Sequence, residues 1–185
     1  MRILTGALRG RVIAFRPEAD LRPTADKVRK AVFDALQGRA RGREALDLYA
    51  GTGALGFEAL SGGAAGCVFV ERNPGRSARI AENLKRLGLS AKADVLTAEA
   101  SAALKKLEAD AWRFGLVFVD PPYERGLAKA ALEQLGNSSS LLEADALVVA
   151  ECYKKEELPE RPGRLKAVKR ALHGDTQTVF YLSNI

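Results

Sequence analysis

The sequence has few of the side chains that build metal sites and covalent catalytic triads. It contains one histidine, His173, and two cysteines, Cys67 and Cys152, in 185 residues. A single histidine argues against a histidine-based metal site and against a Ser-His-Asp triad, so we expect no metal. The cysteines lie far apart in apolar runs, which predicts two reduced core thiols rather than a disulfide.

Long apolar runs are also absent. No run approaches the roughly 18 residues that span a bilayer, and the first residues lack the apolar core of a secretory signal. We therefore expect a cytoplasmic protein with no membrane partner. A hydrophobic content of 47% is sufficient for one packed core, which predicts a single domain over residues 1–185. We expect this domain to be a monomer.

Positive charge is concentrated in the first quarter of the chain. Residues 1–43 hold nine arginines and two lysines against four acidic residues, a net charge of +7, whereas residues 44–185 carry −1. A basic face can serve solubility alone, but this segregation is typical of a segment that contacts phosphates. We predict a basic extension over residues 1–43 that contacts the phosphates of a nucleic acid, and a catalytic core over residues 44–185.

The apolar pattern predicts a doubly wound α/β fold. From residue 45 onward, short apolar runs alternate with amphipathic segments, as in parallel strands joined by crossover helices. The predicted strands are 45–49, 67–71, 93–97, 116–120 and 146–150, and the predicted helices are 53–62, 75–87, 99–109 and 126–135. Segments 164–172 and 178–182 predict a closing antiparallel hairpin.

The N-terminal region has a different pattern. Segments 2–5 and 11–15 flank a glycine-containing turn and predict a β-hairpin. A helix should follow, with Thr24 as its cap and Gly38 at its end. Its apolar stripe consists of Val28, Ala31, Val32, Ala35 and Leu36. Arg29 lies off this stripe.

A glycine-rich turn follows the first predicted strand of the core. Gly51, Gly53 and Gly56 form a G-x-G-x-x-G motif, and Glu71 ends the next strand, 20 residues after Gly51. Glycines let the backbone approach a ligand, and a carboxylate at that position can accept hydrogen bonds from ribose hydroxyls. The pattern indicates a nucleoside-bearing cofactor, and an NAD-dependent oxidoreductase has the same spacing.

Two acidic residues favour S-adenosylmethionine over NAD. Asp47 can meet the ammonium group of a methionine moiety, whereas the pyrophosphate of NAD would be repelled there. Glu99 can accept a hydrogen bond from an adenine amino group, with the Ala100 N–H as a donor to the ring, although an acid there can equally complement a helix dipole. We expect adjacent motif residues to complete the cofactor site: Ala50, Thr52, Arg72, Asn73 and Asp120.

The segment Asp120-Pro121-Pro122-Tyr123 follows the fourth predicted strand of the core. Ligands bind at the carboxyl ends of the strands in an open α/β sheet, so this segment should lie beside the glycine turn. Asp120 and the Pro121 carbonyl can accept both hydrogens of an sp2 amino group, because successive prolines keep the backbone extended. Tyr123 offers a face for a stacked base. The segment predicts methylation of a base amino group.

The sequence resembles the RsmD-type 16S rRNA guanine-N2 methyltransferases over nearly the whole chain. The resemblance rests on these motifs, on the start Met-Arg-Ile-Leu-Thr-Gly-Ala-Leu-Arg-Gly-Arg and on the segment Arg-Pro-Thr-Ala-Asp-Lys-Val-Arg at 22–29. The resemblance implies a Rossmann-like class I methyltransferase sheet of seven strands, mostly parallel. It also implies S-adenosyl-L-methionine as donor and a guanine of 16S rRNA as substrate, in the small ribosomal subunit or an assembly intermediate. Gly62-Gly63-Ala64 replaces the usual Arg-Gly-Ala, which affects no catalytic position.

We expect the basic extension to hold RNA through Arg9, Arg11, Arg22, Thr24 and Arg29. An N6-adenine methyltransferase of DNA or rRNA is the nearest alternative, because adenine offers the same amino geometry, but that family commonly has Asn at the position of Asp120. An NAD-dependent oxidoreductase is a more distant alternative, and a catalytically silent RNA-binding or assembly module is a third.

Overall fold

The computed structural model describes residues 1–16, 26–122 and 126–184. The strands are β1 (Glu44–Asp47), β2 (Gly66–Val70), β3 (Ala93–Leu96), β4 (Phe114–Val119), β5 (Leu142–Tyr153), β6 (Leu165–His173) and β7 (Thr176–Ser183). The helices are α1 (Asp26–Leu36), α2 (Ala54–Ser61), α3 (Pro74–Leu87), α4 (Ala100–Ala109) and α5 (Leu127–Asn137), with a short 3₁₀ turn at Ser90–Lys92.

All seven strands belong to one sheet, in the order β3-β2-β1-β4-β5-β7-β6. The first five strands in this order pair in parallel, and β7 pairs antiparallel with both β5 and β6. The predicted α/β class and the closing hairpin are therefore confirmed. The strand order reverses between β1 and β4. In open α/β sheets, ligands bind at the carboxyl ends of the strands at such a switch point.

Helices cover both faces of the sheet because each carries an apolar stripe. On one face, α4 and α5 pack through residues such as Leu104 and Leu132. On the other, α1, α2 and α3 pack through residues such as Val32 and Ile80, and the N-terminal hairpin joins them. Every residue of β4 is buried, as expected for a central strand covered on both faces.

Strand β5 is longer than the predicted run 146–150. It begins at Leu142, which pairs with Phe114 ahead of a register shift, and Asp145 takes a φ of 59° in this irregular stretch. It ends at Tyr153 because its last residues pair with β7. The carboxyl end of β5 therefore extends past the end of β4.

Backbone hydrogen bonds hold the N-terminal hairpin together. Arg2 and Val12 form a β-bridge, and the Ile3 N–H donates to the Arg11 carbonyl at 3.0 Å. Ile3 and Ile13 are buried in the core. The predicted hairpin is confirmed, but the prediction of two full strands was wrong, because the pairing is limited to this short stretch.

The hairpin rests on the C-terminal end of α2. The Ala7 N–H donates to the Ser61 carbonyl at 2.8 Å, and the Leu8 N–H donates to the Ser61 hydroxyl at 2.9 Å. Gly6 has a φ of 72° and lies so close to the Ser61 carbonyl that a Cβ there would clash. Glycine at this position therefore permits the docking.

The burial of Arg29 on α1 differs from the sequence prediction, which made it an RNA contact. Its helical position lies off the apolar stripe, yet only 1% of its surface is exposed. Its Nε donates to Glu58 Oε1 at 3.1 Å, and its Nη2 donates to the Arg2 carbonyl at 2.8 Å and to Asp26 Oδ1 at 3.0 Å. The assignment of Arg29 to RNA was wrong, because internal partners occupy its guanidinium.

Glu58 on α2 is the buried partner of Arg29. It has no exposed surface, and its carboxylate accepts hydrogen bonds from the Leu4 N–H at 2.6 Å and the Thr5 N–H at 3.0 Å. The Thr5 hydroxyl also donates to it at 2.7 Å. One buried ion pair thus joins the hairpin, α1 and α2.

Two parts of the prediction for the N-terminal helix have different outcomes. Gln37 and Gly38 follow α1 with φ angles of 47° and 80°, so the predicted stop at Gly38 is confirmed. Thr24, its predicted cap, and Arg22 lie outside the described residues. Cys67 and Cys152 are buried free thiols. In the described ranges, no helix is long and apolar enough to span a membrane.

Replacing Arg29 with Met should lower the free energy of unfolding by about 3–5 kcal/mol, because the substitution leaves the Glu58 carboxylate buried without its cation. Urea unfolding at neutral pH measures this change. The matched control is Lys30→Met, which breaks the exposed pair with Asp34 on the same helix and should cost about 0.5 kcal/mol or less. Equal effects of the two substitutions would contradict the account.

Candidate active site

The glycine-rich turn connects β1 to α2 at the carboxyl edge of the sheet. Gly51 and Gly53 have φ angles of 54° and 79°, left-handed values that favour glycine. The Gly53 N–H donates to the Ala50 carbonyl at 2.6 Å, which closes the turn. A Cβ on Gly56 would clash with the Phe69 ring, so the third glycine lets α2 lie against β2.

Glu71 follows β2 and braces the turn. It is 6% exposed; its Oε2 accepts from the Gly51 N–H and its Oε1 accepts from the Asn73 N–H, each at 2.8 Å. Glu71 therefore contacts the glycine turn, as its position at the end of the second predicted strand indicated. A carboxylate oxygen has two acceptor sites, so these bonds leave capacity for a ligand hydroxyl.

Asp47 is the last residue of β1 and is only 2% exposed. Its Oδ2 accepts from the Gly56 N–H at 2.9 Å, under the first turn of α2. The pKa of Asp47 is raised from its ordinary value of 3.8 to about 7. Burial is the largest cause, the Gly56 hydrogen bond acts in the opposite direction, and the negative charges of Asp120 and Glu71 add to the increase. A cation placed beside this carboxyl would favour its ionised form.

Asp120 and Pro121 directly follow β4, the strand next to β1 in the sheet. Asp120 is partly exposed, Pro121 is buried and Pro122 is exposed. Asp47 pairs with Phe118, which lies two residues before Asp120, so the two acidic residues are close to one another across the switch point. The electrostatic effect of Asp120 on the pKa of Asp47 agrees with this proximity. The structure therefore brings the Asp-Pro-Pro segment to the glycine turn. Tyr123 lies outside the described residues.

The remaining predicted cofactor residues lie around the ends of β2 and β3. Glu99 precedes α4 with its side chain 68% exposed, and its Oε1 lies 3.6 Å from Arg72 Nη1. Ala100 is the first residue of α4. The Asn73 side chain caps α3 by accepting from the Gly75 N–H at 2.9 Å, so it has a structural role as well.

Thr52 lies inside the glycine turn and is only 8% exposed. It lines a pocket together with Gly51 and three arginines that the predicted RNA site did not include. These arginines are Arg16, Arg76 and Arg79. Arg76 and Arg79 are three residues apart and lie on one face of α3, a spacing that could have identified them. Arg9 and Arg11, which the sequence assigned to RNA, are exposed on the hairpin.

Glu151 on β5 is a further residue that the sequence prediction missed. It is 2% exposed, and its Oε1 has no hydrogen-bond partner among the described residues. The signal was an acid that directly follows the apolar run 146–150. Within the described ranges, no group of three His, Cys, Asp or Glu side chains has an arrangement that could hold a metal ion.

Replacing Asp47 with Asn should stabilise the cofactor-free protein at about pH 8. Because the folded pKa of about 7 lies above the ordinary value of 3.8, the free energy of unfolding of the wild type falls as pH rises between them. The variant has no carboxyl to ionise at this position, so its free energy of unfolding should not fall in this way. It should exceed that of the wild type by on the order of 2–4 kcal/mol at about pH 8, and the difference should vanish near pH 4.

Thermal unfolding at both pH values tests this expectation. Asp34→Asn, a change at an exposed acid on α1, should show no such pH-dependent gain. A destabilised Asp47→Asn protein at about pH 8 would show that the burial of this charge is not costly.

Known proteins match nearly the whole chain. A family model described as "Conserved hypothetical protein 95" matches residues 1–182. "Putative rRNA methyltransferase YlbH" of Bacillus subtilis is 35% identical over 181 residues, 98% of this chain and 98% of that protein. "Ribosomal RNA small subunit methyltransferase D" of Escherichia coli is 33% identical over 181 residues, 98% of this chain and 89% of that protein.

Solved structures have the same fold. "Putative methyltransferase yhhF" from Escherichia coli superposes with a TM-score of 0.86 at 32% identity, over 100% of this chain and 98% of that chain. Two more distant structures, at 16% and 14% identity, share the fold and contain S-adenosyl-L-homocysteine. The fold is therefore that of S-adenosylmethionine-dependent methyltransferases. The resemblance found in the sequence is confirmed, and the chain belongs to the family described as conserved hypothetical protein 95, the RsmD-type family.

Proposed function

We propose that the chain methylates the N2 amino group of a guanine in small-subunit rRNA. The observation that carries the proposal is the position of Asp120 and Pro121, which follow β4 beside the glycine turn of β1. Two hydrogen-bond acceptors for an amino group thus lie at the edge where this fold binds its cofactor. The activity named for the relatives, rRNA methylation, supports the same conclusion.

The cofactor is S-adenosyl-L-methionine, and the residues at the switch point fit it. Asp47 is a buried carboxyl bonded to a backbone N–H, so the ammonium of a methionine moiety, directly or through water, would offset the cost of its charge. Glu71 has acceptor capacity for ribose hydroxyls, and Glu99 for an adenine amino group. When bound, S-adenosylmethionine supplies a methyl group on a positively charged sulfur.

The proposed work of Asp120 and the Pro121 carbonyl is to activate the amino nitrogen. A guanine N2 nitrogen is a poor nucleophile because its lone pair is delocalised into the ring. Hydrogen bonds from both amino hydrogens to these two acceptors favour an sp3 nitrogen and aim its lone pair at the methyl group. Asp120 then accepts the proton that the nitrogen loses. Tyr123 is proposed to stack on the extruded base.

RNA binding is proposed to involve two groups of arginines. Arg9 and Arg11 are exposed on the hairpin, which the Arg29–Glu58 pair fixes against the core. Arg16, Arg76 and Arg79 line the pocket beside the glycine turn. Guanidinium groups at these positions would bind phosphates on either side of the extruded nucleotide and position the RNA without reading its sequence. Arg22 and Thr24 remain predicted RNA contacts.

Replacing Asp120 with Ala should lower kcat for methyl transfer by about 100-fold or more, because the amino group loses an acceptor and the proton loses its destination. Turnover is measured with labelled S-adenosylmethionine and small subunits that lack the modification. Calorimetric binding of S-adenosylmethionine to the same variant checks that its cofactor site is intact.

Asp110→Ala is the matched control, since it removes a carboxylate that pairs with Lys106 at the end of α4, away from the switch point. This variant should keep wild-type turnover. Near wild-type turnover of the Asp120 variant would rule out the proposed role of Asp120.

The double substitution of Arg9 and Arg11 by Ala should weaken RNA binding and reduce its dependence on salt. Each lost phosphate contact lowers the slope of log K against log salt by about 0.7–0.9. The control is the double substitution of Lys105 and Lys106 by Ala on α4, which removes the same charge from the opposite face of the sheet. If both doubles change the slope equally, the hairpin has no special role.

A further inference from the structure

Glu151 lies beside Asp120 at the carboxyl edge of the sheet. Val119 on β4 pairs in parallel with Ala150 on β5, so the residues that follow them, Asp120 and Glu151, are neighbours. Adjacent strands are about 4.8 Å apart, which is within reach of two carboxyl side chains. The electrostatic effect of Asp120 on the pKa of Glu151 agrees with this proximity.

Three carboxyls from adjacent strands face the same side of the sheet. Ala45, Phe118 and Val149 belong to the core cluster on the α1 side. Side chains two residues apart on a strand share a face, so Asp47 on β1 and Glu151 on β5 lie on that side as well. Asp120 is the first residue after β4, and continuing the alternation of β4 by one residue puts it on the same side. Strand pairing then orders them as β1, β4 and β5, with Asp120 in the middle.

The surroundings of Glu151 do not compensate a negative charge. It is 2% exposed, and Oε1 has no hydrogen-bond partner among the described residues. Thr178 is its cross-strand partner on β7, and the Thr178 hydroxyl is also buried without a partner in that part of the chain. Burial, followed by the negative charges of Asp120 and Asp47, raises the pKa of Glu151 well above its usual value.

We propose that Glu151 is a positioning residue, which carries a proton at neutral pH and donates it in a hydrogen bond to the Asp120 carboxylate. Two adjacent carboxyls in a buried site stabilise a state with one proton between them. Glu151 is the more buried of the two and keeps the proton, so Asp120 stays ionised and oriented towards the substrate amino group. The inference rests on the proposed role of Asp120 in methyl transfer.

Infrared difference spectroscopy tests the proton without any substrate. At about pH 8, where Asp47 with its pKa of about 7 is largely ionised, the wild type should show the carbonyl band of a protonated carboxylic acid. Glu151→Gln should remove this band. Ser183→Ala should keep it, since Ser183 is another buried, unpartnered side chain but lies at the far end of β7. A band that survives Glu151→Gln would overturn the proposal.

The pH profile of turnover tests the effect on Asp120. Glu151→Leu should lower kcat at neutral pH by about tenfold and move the acid limb of the profile up by about one pH unit, because Asp120 loses a hydrogen bond to its charged form. Glu151→Gln, which also donates a hydrogen bond, should keep kcat within about threefold of wild type. Binding of S-adenosylmethionine by both variants checks their folding.

Two turnover results would overturn the proposal: a wild-type profile for Glu151→Leu, or a loss in Glu151→Gln as large as in Glu151→Leu, which would mean that the ionised acid is needed. The proposed function can fail independently. If the wild-type protein methylates no base amine, the infrared result still decides whether Glu151 carries a proton.

Discussion

The crowding of four acidic side chains, three of them buried, at one edge of the sheet is the constraint on which the site depends. Asp47, Glu71, Asp120 and Glu151 all lie at the carboxyl ends of β1, β2, β4 and β5. Burial, followed by the negative charges of neighbouring acids, raises the pKa of Asp47 to about 7 and that of Glu151 well above its usual value. The edge therefore favours a cationic cofactor, and a proton retained at Glu151 would let Asp120 remain an acceptor.

The buried Arg29–Glu58 pair connects this site to the basic extension. Glu58 lies on α2, the helix that begins at the glycine turn, and its carboxylate also holds the backbone of Leu4 and Thr5. Arg29 crosses from α1 to the same carboxylate. The hairpin with Arg9 and Arg11 is thus fixed relative to the glycine turn. RNA bound to the hairpin, as proposed, would therefore be held in a defined position relative to Asp120.

The sequence predicts the architecture well because alternation of apolar runs, glycine turns and strand-end acids are local signals. These signals predict the five parallel strands and the closing hairpin. They also place Glu71 near Gly51, whose N–H donates to the Glu71 carboxylate. Burial of Arg29 was not predictable, since its partner Glu58 is 29 residues away and only the docked hairpin creates that contact. Glu151 was missed because its position beside Asp120 and its burial against Thr178 arise only when β5 pairs with β4 and β7.

The central claim is that this edge of the sheet methylates a guanine amine of small-subunit rRNA. Incubation of the protein with labelled S-adenosylmethionine and unmodified small subunits, followed by nuclease digestion and mass spectrometry of the nucleosides, tests the claim most directly. The account predicts label in N2-methylguanosine at one position of the 16S rRNA. Label in N6-methyladenosine, or no label in the RNA at all, would contradict it.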